Sequence, residues 1–175
     1  MGDGRSGLPL HSVEMGLDPG DAGASPPPIV LLHGLLGAGN NFRGWAKRIT
    51  AALEATHAPA RRIVAVDLRN HGESPHAADM SYATMAADVS LLLERLHLER
   101  CVLVGHSMGG KVAMATALLR PDQVPAWSVR PEPLMRNGPS ACVTSCASSL
   151  PPLFSPLLFS RLFTLRSLSP RWSGL

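Results

Sequence analysis

Three apolar tetrads limit what this chain can fold into: Ile29-Val30-Leu31-Leu32, Ile63-Val64-Ala65-Val66 and Cys101-Val102-Leu103-Val104. Each is too short for a helix and shows no polar alternation. That pattern describes a strand buried on both faces, as inside a parallel sheet covered by helices. Each tetrad is followed by a loop and a helical repeat. After the first, Phe42, Trp45, Ile49 and Leu53 recur at helical spacing, with Asn41 placed as N-cap and Pro59 beyond the end. After the second, Met85, Val89, Leu92, Leu93 and Leu96 form one apolar face of a helix starting at Tyr82 and capped by Ser81. After the third, residues 107–119 read as a helix stopped by Pro121. A looser strand is expected within residues 8–15, ahead of a turn-rich stretch over 16–28. Strand and helix alternating in this way predict an α/β fold with a doubly wound, mostly parallel sheet.

The chemistry concentrates where the third strand meets its helix. Gly105-His106-Ser107-Met108-Gly109 is a G-x-S-x-G pentad set between an apolar strand and an apolar helix. A sharp strand-to-helix turn leaves little room beside the serine, so glycines at 105 and 109 permit the turn while Ser107 is lifted into the open. A serine there lies at a helix N-terminus, where the dipole and free N–H groups favour a developing oxyanion. His33-Gly34-Leu35-Leu36-Gly37 follows the first apolar strand, where a second oxyanion donor is expected. The backbone N–H groups of Leu35 and Met108 are therefore the candidate oxyanion hole, and His33 is expected to prop its loop by hydrogen bonds. Gly34, Gly105, His106 and Gly109 complete the supporting motif. Gly110 offers a small surface for packing, and Lys111 is expected to face solvent or pair locally.

The stretch over residues 28–124 resembles the α/β-hydrolase superfamily, and within it the esterases related to α/β-hydrolase domain-containing protein eleven and their bacterial counterparts. The resemblance rests on His33-Gly34-Leu35-Leu36-Gly37, on Val66-Asp67-Leu68-Arg69-Asn70-His71-Gly72-Glu73-Ser74-Pro75, on Asp79-Met80-Ser81-Tyr82 with Met85, Ala86 and Asp88, and on Gly105-His106-Ser107-Met108-Gly109-Gly110-Lys111. It implies a sheet in which the strand ending at Asp67 and the strand before Ser107 flank the 29–32 strand. It also implies hydrolysis of carboxylic esters with short or lipid-like acyl chains, with neither metal nor organic cofactor. Within the resemblance the loop carrying Asp67, Arg69 and His71 is structural, its charged groups pairing locally. His11, His57, His76 and His97 read as surface residues.

The same resemblance implies a triad in the chain order serine, acid, histidine. All seven histidines lie at or before His106, and the only carboxylates after Ser107 are Asp122 and Glu132. Neither matches the family's pattern, so the C-terminal half of the fold is expected to be missing and no triad acid or histidine is assigned. From Val124 onward, 32 of the 52 residues are Ser, Leu, Pro or Arg, and the strand–helix alternation stops. The expected organisation is a strand and turn region over residues 1–27, the hydrolase-like part over 28–124, and a tail over 125–175. That tail is expected to be disordered or to come from an altered reading frame. Its absence from the sheet would leave the 101–104 strand as an open edge, and residues 153–168 are apolar enough to cover that edge or lie on a membrane.

The totals exclude other classes. The net charge of +3 divides into −1 up to Gln123 and +4 beyond it, the latter from scattered arginines without aromatic interleaving, so no nucleic-acid partner is expected. No run approaches the ~18–20 apolar residues of a membrane span. An odd set of cysteines, Cys101, Cys142 and Cys146, argues against a disulfide framework. The start Met1-Gly2-Asp3-Gly4-Arg5-Ser6 fits the loose myristoylation pattern but is read as a chance match. With neither a secretory nor an organellar segment recognised, the cytosol is the default location and an organelle the alternative. The expected partner is a small acyl ester; oligomeric state is not legible.

Overall fold

The computed structural model describes residues 7–16, 26–130 and 143–146. In chain order the elements are β1 (Ser12–Glu14), β2 (Ile29–Leu32), a 3-10 turn (Gly39–Phe42), α1 (Arg43–Ala55), β3 (Ile63–Val66), α2 (Tyr82–Arg95), β4 (Val102–His106), α3 (Met108–Leu119), β5 (Ala126–Arg130) and β6 (Val143–Cys146). They build one sheet in the order β1-β3-β2-β4-β5-β6. β3, β2, β4 and β5 run parallel, while β1 and β6 add antiparallel at the two sides.

The apolar tetrads divide their side chains between two cores, as the strand period of two requires. Val30, Leu32, Val64, Val66 and Leu103 point to one face, where they meet Met85, Val89, Leu92 and Leu93 of α2 and Val112 and Ala113 of α3. Ile29, Leu31, Ile63, Ala65, Val102 and Val104 point to the other, against Phe42 and Ala46 of α1. Helices therefore cover both faces, which is why no polar residue interrupts these strands.

Ser81 caps α2, its Oγ accepting the Thr84 N–H at 3.3 Å. Asn41 does not cap α1. It lies inside the 3-10 turn, and the N-cap position is held by Phe42 without a side-chain bond. The tighter turn arises because Gly39 gives its N–H to Asp67 Oδ1 at 2.6 Å, which docks the chain against the end of β3 before the α-helix can begin.

The open edge expected at β4 is corrected. β5 pairs along all of β4, from Val102 opposite Ala126 to His106 opposite Arg130. Val124 and Ala126 are buried, and Ala126 and Trp127 pack against opposite cores. That alternation, masked in the sequence by Pro125 and by the Pro- and Arg-rich context, is the signal that marks the strand. Residues 153–168, Cys142 and the first six residues, with the readings attached to them, lie outside the described residues.

Candidate active site

β4 ends in a turn that only certain residues can make. Ser107 sits between β4 and α3 at φ 51° and ψ −112°, a strained conformation for a residue with a side chain. Glycines on either side make it possible. A Cβ at Gly105 would stand 2.3 Å from the Gly109 carbonyl oxygen, and one at Gly109 would stand 2.2 Å from the Leu32 carbonyl oxygen. The first turn of α3 is thus pressed against both β4 and the end of β2. The carbonyl of Ser107 accepts from the N–H groups of Gly110 and Lys111, which opens the helix, and Met108 is buried directly behind the serine. Lys111 is turned away, its Nζ lying 5.4 Å from the centre of the Tyr82 ring.

The loop after β2 leaves the sheet beside this turn, because Leu32 pairs with Gly105 across β2 and β4. Gly34 faces the His106 ring so closely that a Cβ would fall 2.8 Å from its Nδ1. β3 lies on one side of β2 and β4 on the other, so Ser107 stands at the reversal of winding, the usual ligand crevice of such sheets. The structure accordingly brings together His33, Gly34, Gly105, His106, Ser107, Met108 and Gly109. Leu35 and Leu36 rise from the rim with 64% and 91% of their surfaces exposed, an apolar lip on an otherwise folded surface. Leu36 adopts φ 60°, and Gly37 closes the turn by donating to the Gly34 carbonyl at 3.0 Å.

His33 is buried, and both of its ring nitrogens are engaged. Nδ1 lies 2.7 Å from the Gly34 carbonyl oxygen, and Nε2 is 3.0 Å from the Leu68 N–H. A ring that accepts at Nε2 donates at Nδ1 and is neutral. Burial is the main cause holding its pKa below the usual histidine value, with a smaller push from His71, against opposing pulls from the Gly34 carbonyl and Asp67.

The loop after β3 is a closed set of local contacts. Burial raises the Asp67 carboxyl, but N–H groups of Gly39 and Glu73 and the ring of His11 outweigh it and hold the pKa below the ordinary range. Gly72 turns at φ 54° against this carboxylate. Arg69 and Asp88 form a buried two-pronged pair, Nε to Oδ2 at 2.5 Å and Nη2 to Oδ1 at 2.7 Å. Asn70 clips the loop shut through Ala77. His71 bonds through Nδ1 to the Arg69 carbonyl oxygen and accepts at Nε2 from the Leu36 N–H. With both nitrogens committed, His71 is not poised to take a proton from Ser107. His11 is a further difference from the surface reading: it is part-buried on Asp67 at 2.9 Å, a contact 56 residues apart in sequence that no local pattern signals.

Among the described residues no group of three or more His, Cys, Asp or Glu side chains is placed to hold a metal ion, and no helix is long and apolar enough to cross a membrane.

A mostly parallel sheet with helices on both faces, and a strained serine on the strand-to-helix turn at its winding reversal, define the nucleophile-elbow class of α/β proteins. The family model described as "alpha/beta hydrolase fold" matches residues 27–127, and the chain belongs to that family. Over 121 residues it is 47% identical to the sn-1-specific diacylglycerol lipase ABHD11 of Mus musculus, covering 69% of this chain and 38% of that protein. Over 134 residues it is 37% identical to ethanol acetyltransferase 1 of Eremothecium cymbalariae, covering 77% of this chain and 32% of that protein. Among solved structures, a marine microorganism esterase superposes with a TM-score of 0.59 at 36% identity, covering 70% of this chain and 41% of that one. The chain thus spans less than half the length of each of these relatives.

Proposed function

We propose that this chain carries the nucleophile-bearing part of a serine hydrolase for carboxylic (acyl) esters. Ser107 Oγ attacks the ester carbonyl carbon, its proton passes to a base, the alcohol departs, and the acyl-serine is hydrolysed by water. The backbone N–H groups of Leu35 and Met108 receive the oxyanion. No metal or organic cofactor takes part. The observation that carries this reading is the conformation of Ser107, held at φ 51° between two glycines that tolerate no side chain. Strain of this kind costs about 1–3 kcal/mol and persists where the surroundings impose it, which characterises functional turns.

The proposed substrates are esters with an apolar acyl chain. The names of the Mus musculus lipase and the Eremothecium cymbalariae acetyltransferase both describe acyl chemistry at an ester oxygen, and the exposed Leu35 and Leu36 offer such a chain an apolar contact at the rim. The 175-residue polypeptide by itself is proposed to be weakly active or inactive, since no histidine follows Ser107 in it. Loss of the activating histidine in a characterised serine protease costs on the order of 10⁶ in turnover. That same feature favours a second reading, a non-catalytic truncated product or interaction module. The proposed compartment is the cytosol, to be checked by fractionating cells that express the tagged chain.

The test is to incubate the purified chain, and its Ser107→Ala variant, with a fluorophosphonate probe, a short p-nitrophenyl ester and a diacylglycerol. A chain extended with the C-terminal half of a similar esterase is assayed in parallel. Ser107-dependent turnover in the extended chain, with little in the 175-residue chain, is expected. Robust turnover by the 175-residue chain would overturn its proposed weakness; no Ser107-dependent turnover in either would favour the non-catalytic reading.

A further inference from the structure

His33 in the loop after β2 and His71 in the loop after β3 each bond to the backbone of the other loop. His33 in the first loop accepts at Nε2 from the Leu68 N–H in the second, at 3.0 Å. His71 in the second loop accepts at Nε2 from the Leu36 N–H in the first, at 3.3 Å. Each ring uses its other nitrogen on a nearby carbonyl, Nδ1 to Gly34 at 2.7 Å for His33 and Nδ1 to Arg69 at 2.9 Å for His71. The two rings then meet edge to face, with centroids 5.0 Å apart. This is a reciprocal clasp, two rings with the same assignment of their nitrogens tying neighbouring loops together at the carboxyl end of the sheet.

We infer that His71 is a positioning residue for the turn that carries the Leu35 N–H, acting as the outer half of this clasp with His33. The inference rests on the reading of Leu35 as an oxyanion donor for its purpose, while the clasp itself rests on the contacts alone. Leu36 holds φ 60° with its side chain almost wholly in solvent, so side-chain packing does not fix that conformation. A leucine in the left-handed region needs support from its surroundings. The Gly37 to Gly34 bond closes the turn from within, and the Leu36 N–H to His71 bond supplies support from outside it, one residue beyond Leu35. The support extends inward, since the Arg69 carbonyl that orients His71 belongs to the residue whose guanidinium is locked on buried Asp88.

The clasp makes a statement about protons that a merely space-filling histidine does not. Both rings carry hydrogen on Nδ1 and leave Nε2 bare. Long-range proton–nitrogen correlation spectra of the full 175-residue chain, recorded at pH 8, read this directly. The expected result is the Nδ1–H form at both His33 and His71. A proton resident on Nε2 of His71, or rapid exchange between its two forms, would overturn the inference.

Variants supply the second readout. His71→Leu removes the acceptor, and His71→Gln keeps an acceptor oxygen on a side chain of comparable reach. In His71→Leu the Leu36 amide is expected to exchange about tenfold faster than in the parent. The Leu35 and Leu36 amide resonances are expected to shift while those of Val30 and Val104 stay in place, and His71→Gln is expected to restore most of the difference. Unchanged exchange and shifts at Leu35 and Leu36 in His71→Leu would overturn the positioning role. If His71→Leu fails to fold, the ring-proton measurement on the parent still decides the matter. None of these readouts depends on ester turnover, so failure of the hydrolase reading leaves a result distinct from failure of the clasp.

Discussion

A side chain at position 72 would place its Cβ 2.3 Å from the Asp67 carboxylate, and Gly72 also turns at φ 54°. Two constraints therefore meet at one residue, a lack of room for a Cβ and a left-handed backbone. Gly72→Ala is expected to cost at least about 2 kcal/mol, combining left-handed strain with displacement of a carboxylate that holds two loops. Urea unfolding of the parent and the variant measures this. A cost below about 0.5 kcal/mol would mean that the loop yields freely and that Asp67 is not the anchor described.

Gly109 and Gly44 form a matched pair of helical glycines for testing the strand-to-helix turn at Ser107. An alanine Cβ at 109 would fall 2.2 Å from the Leu32 carbonyl oxygen, whereas one at 44 meets nothing within 4 Å. The obstruction at 109 is the backbone of Leu32 and His33, which cannot swing away as a flexible side chain would. Gly109→Ala is expected to lose about 3 kcal/mol or more through overpacking. Gly44→Ala, on the solvent side of α1, is expected to gain about 0.5–1 kcal/mol from helix propensity. Thermal melts of both variants should move in opposite directions.

Arg69 and Asp88 are both buried, so either one alone is an uncompensated charge. Asp88→Ala is expected to cost about 3–5 kcal/mol, because it strands the guanidinium and removes the acceptor of the Leu8 N–H. In the double variant Arg69→Met, Asp88→Leu the cost should fall well short of the sum of the two single variants. Denaturant unfolding across this cycle is the measurement, and additive costs would show the two groups to be uncoupled.

Much of the fold was legible because its physics is local. The tetrads at 29, 63 and 101 announce strands buried on both faces, and Ser81 announces the start of α2 through a bond to its own helix. The order β3-β2-β4 followed from the resemblance carried by the loops that end these strands. What sequence missed is long-range. His11 reaches Asp67 from just before β1, 56 residues away, and the 3-10 turn before α1 exists because Asp67 takes the Gly39 N–H. β5 was missed for another reason, since Ala126 and Trp127 alternate for too few residues to stand out from their surroundings. At the site, the pentad gave the strained serine away, but nothing local connects His71 to Leu36.

Asp67 should couple the site's scaffold to acid. Its carboxylate accepts from Gly39 and Glu73 and pairs with His11, while Glu73 Oε2 approaches the far side of the same ring at 3.7 Å. Burial raises the Asp67 pKa, and these contacts reverse that effect, leaving it below the ordinary carboxylate value. A group whose folded pKa is depressed contributes stability that is fully present above its unfolded pKa, near ~3.9 for aspartate. That contribution is lost as pH falls through the folded value, because protonation removes the acceptor that the loops share. Parent and Asp67→Asn chains unfolded in urea at pH 7, 5, 4 and 3 should therefore differ most at pH 7 and 5, where the carboxylate is ionised in both states. The gap should narrow between pH 4 and pH 3 and continue to close below. The asparagine chain keeps an oxygen acceptor but no charge, so it lacks the Asp67 part of the acid slope while retaining that of Glu73 and the other carboxylates. A gap that stays constant from pH 7 to pH 3 would assign the acid sensitivity to those other groups and leave Asp67 a neutral tether.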